Sequence, residues 1–186
     1  DSERSRGLGD VYKRQGTSQR YKSARVLDVG CGKEMPLSKL LHSSRMGTAW
    51  YGAVDVAPLV TPEQFRNASW KPHKLWSKTD VCTLKPDDFE APPTAIVCFE
   101  VAEHVEPDHC RRMLAKFHEL LEDEGRVFIS TPCYDAHTGA AANHVNEMTY
   151  QAFGAALEDT GFRVEGHWGT FASMNCLLYT SPSPRD

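Results

Sequence analysis

The sequence predicts an α/β protein built on a doubly wound, mostly parallel sheet. Two observations predict it: short apolar runs alternate with amphipathic helical stretches at the spacing of βα units, and the first run ends in a glycine turn. The chain has 186 residues, 40% hydrophobic and 25% charged, enough for one α/β domain with its own core and too short for two.

The elements follow in order. Arg25 to Val29 (RVLDV) reads as a buried strand and runs into Gly30-Cys31-Gly32, a turn that residues with a Cβ would make less readily. Pro36 suits a first helical turn, and Leu37, Leu40 and Leu41 follow at helical spacing. A helix is therefore expected to about Arg45 or Met46, stopping before Gly47. Trp50 to Val56 is the second strand, with Asp55 near its end. Residues 57–78 are rich in Pro, Trp and Lys and poorly periodic. They are expected to be irregular, with at most a short helix around Pro62 to Asn67 and an edge strand at Lys74 to Trp76 before a turn at Asp80. Ala95 to Phe99 (AIVCF) is continuously apolar, as a strand covered on both faces should be. From Pro107, the spacing of Cys110, Met113, Leu114, Phe117, Leu120 and Leu121 is that of an amphipathic helix ending before Gly125. Arg126 to Ser130 is the next strand. A helix over Tyr150 to Thr160 should stop at Gly161, and Phe162 to Phe171 should add one more strand.

A formal charge of −4, with eight His counted neutral, disfavours a protein that coats duplex nucleic acid. No run approaches 18 apolar residues, so no membrane span is expected. Six Cys lie scattered without a CxxC pair, which reads as reduced thiols in a cytoplasmic protein. The ends lack any apolar face. Ser5 to Gln15 and Cys176 to Asp186 resemble translations of a transposase sequencing adapter and of its reverse complement. On that resemblance residues 1–15 and 176–186 are non-native tails, and the domain is 16–175.

Asp28 stands near the carboxyl end of the first strand, ahead of two glycines where backbone can approach a ligand closely. Asp55, at the end of the next strand, is placed to accept hydrogen bonds from a ribose. A nucleotide crevice follows. A dinucleotide is disfavoured, because the third glycine of its fingerprint is Met35 here. Glu100, Glu103 and His104 are spaced i, i+3 and i+4, so a helix beginning at the end of the fourth strand would put them on one face. His144 could approach from the loop beyond the fifth strand. Two carboxylates and two imidazoles suit a divalent ion such as Mg, Mn or Zn. Without a metal, His104 or His144 could act as a general base. Trp50, Trp70, Trp76 and Trp168 read as core or lid residues, and Lys71, Lys74 and Lys78 as a solvated face.

The blocks VLDVGCG, YGAVDV, TDV (Thr79 to Val81) and CFEVAEHV (Cys98 to Val105), in this order and spacing, resemble the class I S-adenosylmethionine-dependent methyltransferase family from about Tyr21 through Phe171. The resemblance implies a Rossmann-like fold. It also implies that Asp28, Gly30, Cys31 and Gly32 line the methionine end of the cofactor, that Asp55 with Val56 meets the ribose, and that Asp80 with Val81 meets the adenine. Phe99 and Glu100 would border the donor sulfur. The ExxEH string, with STP at Ser130 to Pro132 and HVNEMTYQAF at His144 to Phe153, is similar to the ubiquinone-pathway O-methyltransferases and the small-RNA terminal 2′-O-methyltransferases. Their metal engages the acceptor oxygens, which here implies Mg or Mn at Glu100, Glu103, His104 and His144. No DPPY-type tetrapeptide, the mark of base amino-group methylation, follows the fourth strand. The expectation is methyl transfer to an oxygen of a small hydroxylated metabolite, with the loop Tyr134 to Asn146 as substrate lid. The alternatives are a hydroxyl of a nucleotide or single-stranded RNA end, or a cofactor-binding protein without turnover. In the family a seventh, antiparallel strand lies between strands five and six, and Asn175 falls close to where it should begin, so the expected sheet is truncated before or within its last strand and the alternative without turnover is a chain inactive through that truncation.

Overall fold

Leu27, Ala53 and Ile96 are fully enclosed, and the strands that carry them form the middle of a parallel sheet. A computed structural model describes residues 24–43, 48–59 and 72–169. Its strands are β1 (Arg25–Val29), β2 (Trp50–Asp55), β3 (Lys74–Ser77), β4 (Ala95–Phe99) and β5 (Arg126–Ser130), all parallel, in the order β3-β2-β1-β4-β5. Three α-helices are described: α1 (Pro36–Ser43), α2 (Pro107–Leu120) and α3 (Tyr150–Asp159).

Alternation along each strand sends side chains to both faces, and each face meets a helical layer. Leu27, Val29, Val54, Ile96 and Cys98 pack with Cys110, Met113, Leu114, Phe117 and Leu120 of α2 and with Leu157 of α3. Val26, Tyr51, Ala53 and Val97 face the other way, against Met35 and the α1 leucines Leu37 and Leu41. The sheet is thus wound on both sides, as the alternation of elements predicts. Pro107 occupies the first turn of α2 and Thr149 caps α3, its hydroxyl accepting the Ala152 amide at 3.2 Å.

Strand order reverses between β1 and β4, whose carboxyl ends diverge into helices on opposite faces. The crevice above such a reversal is where open α/β sheets take their ligands.

Two elements differ from the sequence expectation. β2 ends at Asp55, and Val56 lies beyond it, largely exposed. Residues 162–169 form no strand: Phe162 and Val164 pack against the core and Glu165 pairs with Arg126 at 3.0 Å, but no backbone hydrogen bond joins 163–169 to β5 among the described residues. Alternating burial extends the chain; a strand also needs a partner's N–H and C=O groups in register. The expected helix end at Arg45 or Met46, the helix around 62–67, Trp70, Lys71 and both expected tails lie outside the described residues. Among the described residues no helix is long and apolar enough to cross a membrane, and Cys31, Cys82, Cys98, Cys110 and Cys133 are free thiols.

Candidate active site

The turn after β1 is shaped by Gly30 and Gly32, with φ of +71° and +64°. A Cβ on Gly30 would come within 2.3 Å of the Val101 side chain, so the turn can press against the end of β4 only without one. Above Gly32 the space is open. The Gly32 amide donates to Asp55 Oδ2 at 2.9 Å and the Ala57 amide to Asp55 Oδ1 at 2.8 Å. Each carboxylate oxygen keeps lone-pair capacity for a second donor, which suits a pair of vicinal hydroxyls.

Between the turn and α1 lies a cavity of about 240 Å³, lined by Asp28, Gly30, Cys31, Pro36, Leu37, Leu40 and Phe99. Asp28 is 5% exposed. Burial pushes its carboxyl up to about 6, the Tyr51 hydroxyl at 2.5 Å opposes the rise, and the Asp55 charge adds to it. Burial also pushes the Cys31 thiol up to about 12, leaving it a neutral wall.

Asp80 follows β3 on the same rim, next to Thr79, whose amide bonds the Asp55 carbonyl at 2.9 Å. Its Oδ1 accepts the Cys82 amide at 2.8 Å and its Oδ2 meets His109 Nε2 at 3.0 Å. Burial alone would raise this carboxyl, but the Cys82 amide and His109 outweigh it and hold the group below the usual carboxylate range. Arg112 donates to His109 Nδ1 at 2.9 Å, so Nε2 carries the ring hydrogen and donates to Asp80. Cys82 Sγ stands 3.8 Å from the same nitrogen. The trio Asp80, Cys82 and His109 has metal-like spacing, but that tautomer leaves Nε2 no lone pair for an ion. Val81 is buried in the core, so only its main chain is offered to a ligand.

The end of β4 departs from expectation. No α-helix begins there: Glu100 adopts a left-handed φ of +55°, a single 3-10 turn covers Ala102–His104, and α2 starts only at Pro107. Sharing one face at i, i+3 and i+4 requires α-helical pitch, so Glu100 is separated from the other two. Its carboxylate accepts the Ser130 hydroxyl at 2.6 Å instead. Phe99 lines the cavity, half-exposed.

Glu103, His104 and His144 do converge, with one ligand atom from each lying within 4.8 Å of the others. Glu103 is 1% exposed, accepts the Thr131 hydroxyl at 3.2 Å and stands 3.8 Å from His104 Nε2. The two imidazoles meet edge to face, 4.7 Å between centroids. His104 Nδ1 faces the Asn143 carbonyl at 3.0 Å and His144 Nδ1 faces the Glu147 carboxylate. With an acceptor before each Nδ1, a neutral ring holds its hydrogen there and leaves the lone pair on Nε2. The Ala141 amide and the His144 ring hold the Glu147 carboxyl below its usual range. The far half of the loop expected to act as a lid is fastened to the 102–104 turn, because the Val145 and Asn146 amides bond the Glu103 carbonyl and the Asn146 side chain bonds the Ala102 carbonyl.

Three residues of the site carry little mark in the sequence. Tyr51 is an ordinary residue of an apolar strand run, His109 shows no convergent partner along the chain, and Glu147 has only a helical-type spacing of three from His144. That spacing was the one available signal.

A family model described as a methyltransferase domain matches residues 1–167. Among solved structures, the chain is similar to the 1,6-didemethyltoxoflavin-N1-methyltransferase of Burkholderia thailandensis, with a TM-score of 0.61 at 24% identity over 81% of this chain. The chain spans 65% of the length of that enzyme. It is similar also to the magnesium protoporphyrin IX methyltransferase of Synechocystis (TM-score 0.61, 14% identity, 88% of this chain and 75% of that one). A third likeness is to an S-adenosylmethionine-dependent methyltransferase from Archaeoglobus fulgidus (TM-score 0.55, 17% identity, 83% and 67%). At these identities the likeness is one of fold. No curated protein matches the chain.

Proposed function

This chain belongs to the methyltransferase-domain family, and from that premise we propose that it transfers the methyl group of S-adenosylmethionine to an oxygen of a small hydroxylated metabolite. The observation that carries the reading is the row of carboxylates Asp28, Asp55 and Asp80 along the carboxyl rim of one sheet, beside a cavity at its topological switch point. S-adenosylmethionine, when bound, supplies an activated methyl group. The chain's own work is orientation and proton handling. Asp55 has acceptor capacity for both ribose hydroxyls, and Asp80 with the main chain of Val81 would meet the adenine. Asp28, Gly30, Cys31 and Gly32 would receive the methionine end, and Phe99 with Glu100 would border the sulfur. The open space above Gly32 and the cavity-facing carboxylate of Asp28 support the fit.

The preference for oxygen rests on His104 and His144. A hydroxyl must lose its proton as it accepts a methyl group, and the convergence of His104 and His144 beside the buried Glu103 supports an imidazole Nε2 as the base that would take it. The same trio favours a second device, since a divalent ion such as Mg or Mn at Glu103, His104 and His144 would lower the cost of deprotonation. Glu100 is turned away from that set.

Calorimetric titration with S-adenosylhomocysteine tests the cofactor, and the expected result is one-site binding; none overturns the whole reading. Label transfer from methyl-labelled cofactor to small hydroxylated compounds, amines and single-stranded RNA tests the acceptor, with label expected in the first. Label confined to amines or RNA overturns the oxygen or the small-molecule assignment. Activity lost with EDTA and restored by Mg or Mn selects the ion, and chelator-insensitive activity selects the imidazole base.

A further inference from the structure

Asp28 occupies a site where a parallel strand normally carries an apolar side chain. It pairs in register with Ala53 on β2 and Val97 on β4, and it is nearly fully buried. One oxygen, Oδ2, accepts the Tyr51 hydroxyl at 2.5 Å. The other has no side-chain donor among the described residues, and the side chain lines the cavity beneath α1. The Tyr51 hydroxyl in turn accepts the main-chain amide of Ser38, in the first turn of α1. The Tyr51 ring is wedged among Val26, Met35 and Val97, so the hydroxyl has little freedom.

We propose that Tyr51 is a positioning residue for the cofactor's amino acid end: its hydroxyl ties α1 to Asp28 and turns one oxygen of that carboxylate into the cavity as the acceptor for a primary ammonium group. The proposal rests on the reading that this cavity receives the methionine end of S-adenosylmethionine. No other lining residue carries a charge, since Gly30, Cys31, Pro36, Leu37, Leu40 and Phe99 complete the wall. A cation entering it meets Asp28 alone.

The charge on Asp28 is sensitive to its surroundings. Three titratable groups share its face of the sheet, Tyr51 and Asp55 from β2 and Cys31 in the turn, and Cys98 of β4 lies on the opposite face. Burial pushes both thiols up, so they stay neutral. Asp55 raises the Asp28 carboxyl and Tyr51 lowers it, with burial setting the level at about 6. Removing the hydroxyl therefore moves the loss of charge toward neutral pH.

The test compares S-adenosylhomocysteine with 5′-methylthioadenosine, which shares the adenosine and thioether but lacks the amino acid end. Tyr51→Phe keeps the ring and loses only the hydroxyl. Calorimetry at pH 7 should show affinity for S-adenosylhomocysteine about tenfold weaker in Tyr51→Phe and affinity for 5′-methylthioadenosine unchanged. The deficit should shrink at higher pH, where Asp28 is ionised without help. Equal loss for both ligands, or an unchanged affinity and pH profile for S-adenosylhomocysteine, overturns the role of Tyr51. The wild-type chain supplies a second reading that needs no variant: its affinity for S-adenosylhomocysteine should fall below pH 6 while that for 5′-methylthioadenosine stays level. Parallel profiles remove Asp28 as the ammonium acceptor and the proposal with it. A wild-type chain that binds neither ligand overturns the cofactor reading instead.

Discussion

At the scale of single residues, Asp28 trades stability for a buried charge. In the folded chain its carboxyl holds a proton up to about pH 6, against an ordinary value of 3.8. Between those values the folded state binds the extra proton, so stability falls as pH rises through the window and levels off above it. The difference corresponds to about 3 kcal/mol lost by neutral pH. Asp28→Asn removes the charge and can still accept from Tyr51. Thermal unfolding should show the variant more stable than wild type, with a larger gain at pH 8 than at pH 5, and weaker for S-adenosylhomocysteine; an equal gain at both values would mean the carboxyl does not titrate there. The residue type and place of Asp28 and Asp55 were legible, because a carboxylate at the end of an apolar run stands out, whereas Asp80 stands out only through the block order of the family resemblance. Tyr51 and His109 were not legible as the partners of Asp28 and Asp80, nor Glu147 as the partner of His144. Each acts through a contact 3 to 29 residues away in sequence, and only His144 and Glu147 lie close enough along the chain for spacing to hint at it.

At the scale of elements, the β1–α1 turn is the most constrained piece. Gly30→Ala adds both a left-handed strain and a clash with Val101, and roughly 2–3 kcal/mol of destabilisation is expected. In urea unfolding, Val101→Ala should cost less when combined with Gly30→Ala than in the otherwise wild-type chain, since it relieves the clash; additive costs would place the strain elsewhere. Gly32→Ala meets no neighbour within 4 Å, so its stability cost should be the smaller, near 1 kcal/mol. The strands and helices were legible wherever apolar periodicity was strong, as in the Cys110 to Leu120 stripe of α2. The misreadings share a cause. The stretch after β4 turns through Glu100 and a 3-10 turn, and residues 162–169 extend without a ladder. Backbone pairing decides both, and side-chain type reports it poorly.

For the molecule as a whole, the strand order gathers Asp28, Asp55 and Asp80 on one rim of the sheet, the rim proposed to bind the cofactor. Hydrogen exchange with S-adenosylhomocysteine should slow at residues 28–32, 55–57, 79–83 and 99–105 and stay unchanged on the solvent face of α3; protection spread evenly over the chain would mean general tightening. The chain's own pattern of apolar runs, glycines and carboxylates determined the fold class and marked the candidate carboxylates at the strand ends, because periodicity and turn composition are local properties. Which side chains actually meet was decided in three dimensions. Glu103 and His104 reach His144 across the gap between β4 and β5, whereas Glu100 is bent away. The Tyr51 hydroxyl finds Asp28 only because β1 and β2 lie side by side under α1. Such contacts depend on strand register and on the backbone's turn at a single residue, and neither leaves a regular trace along the chain.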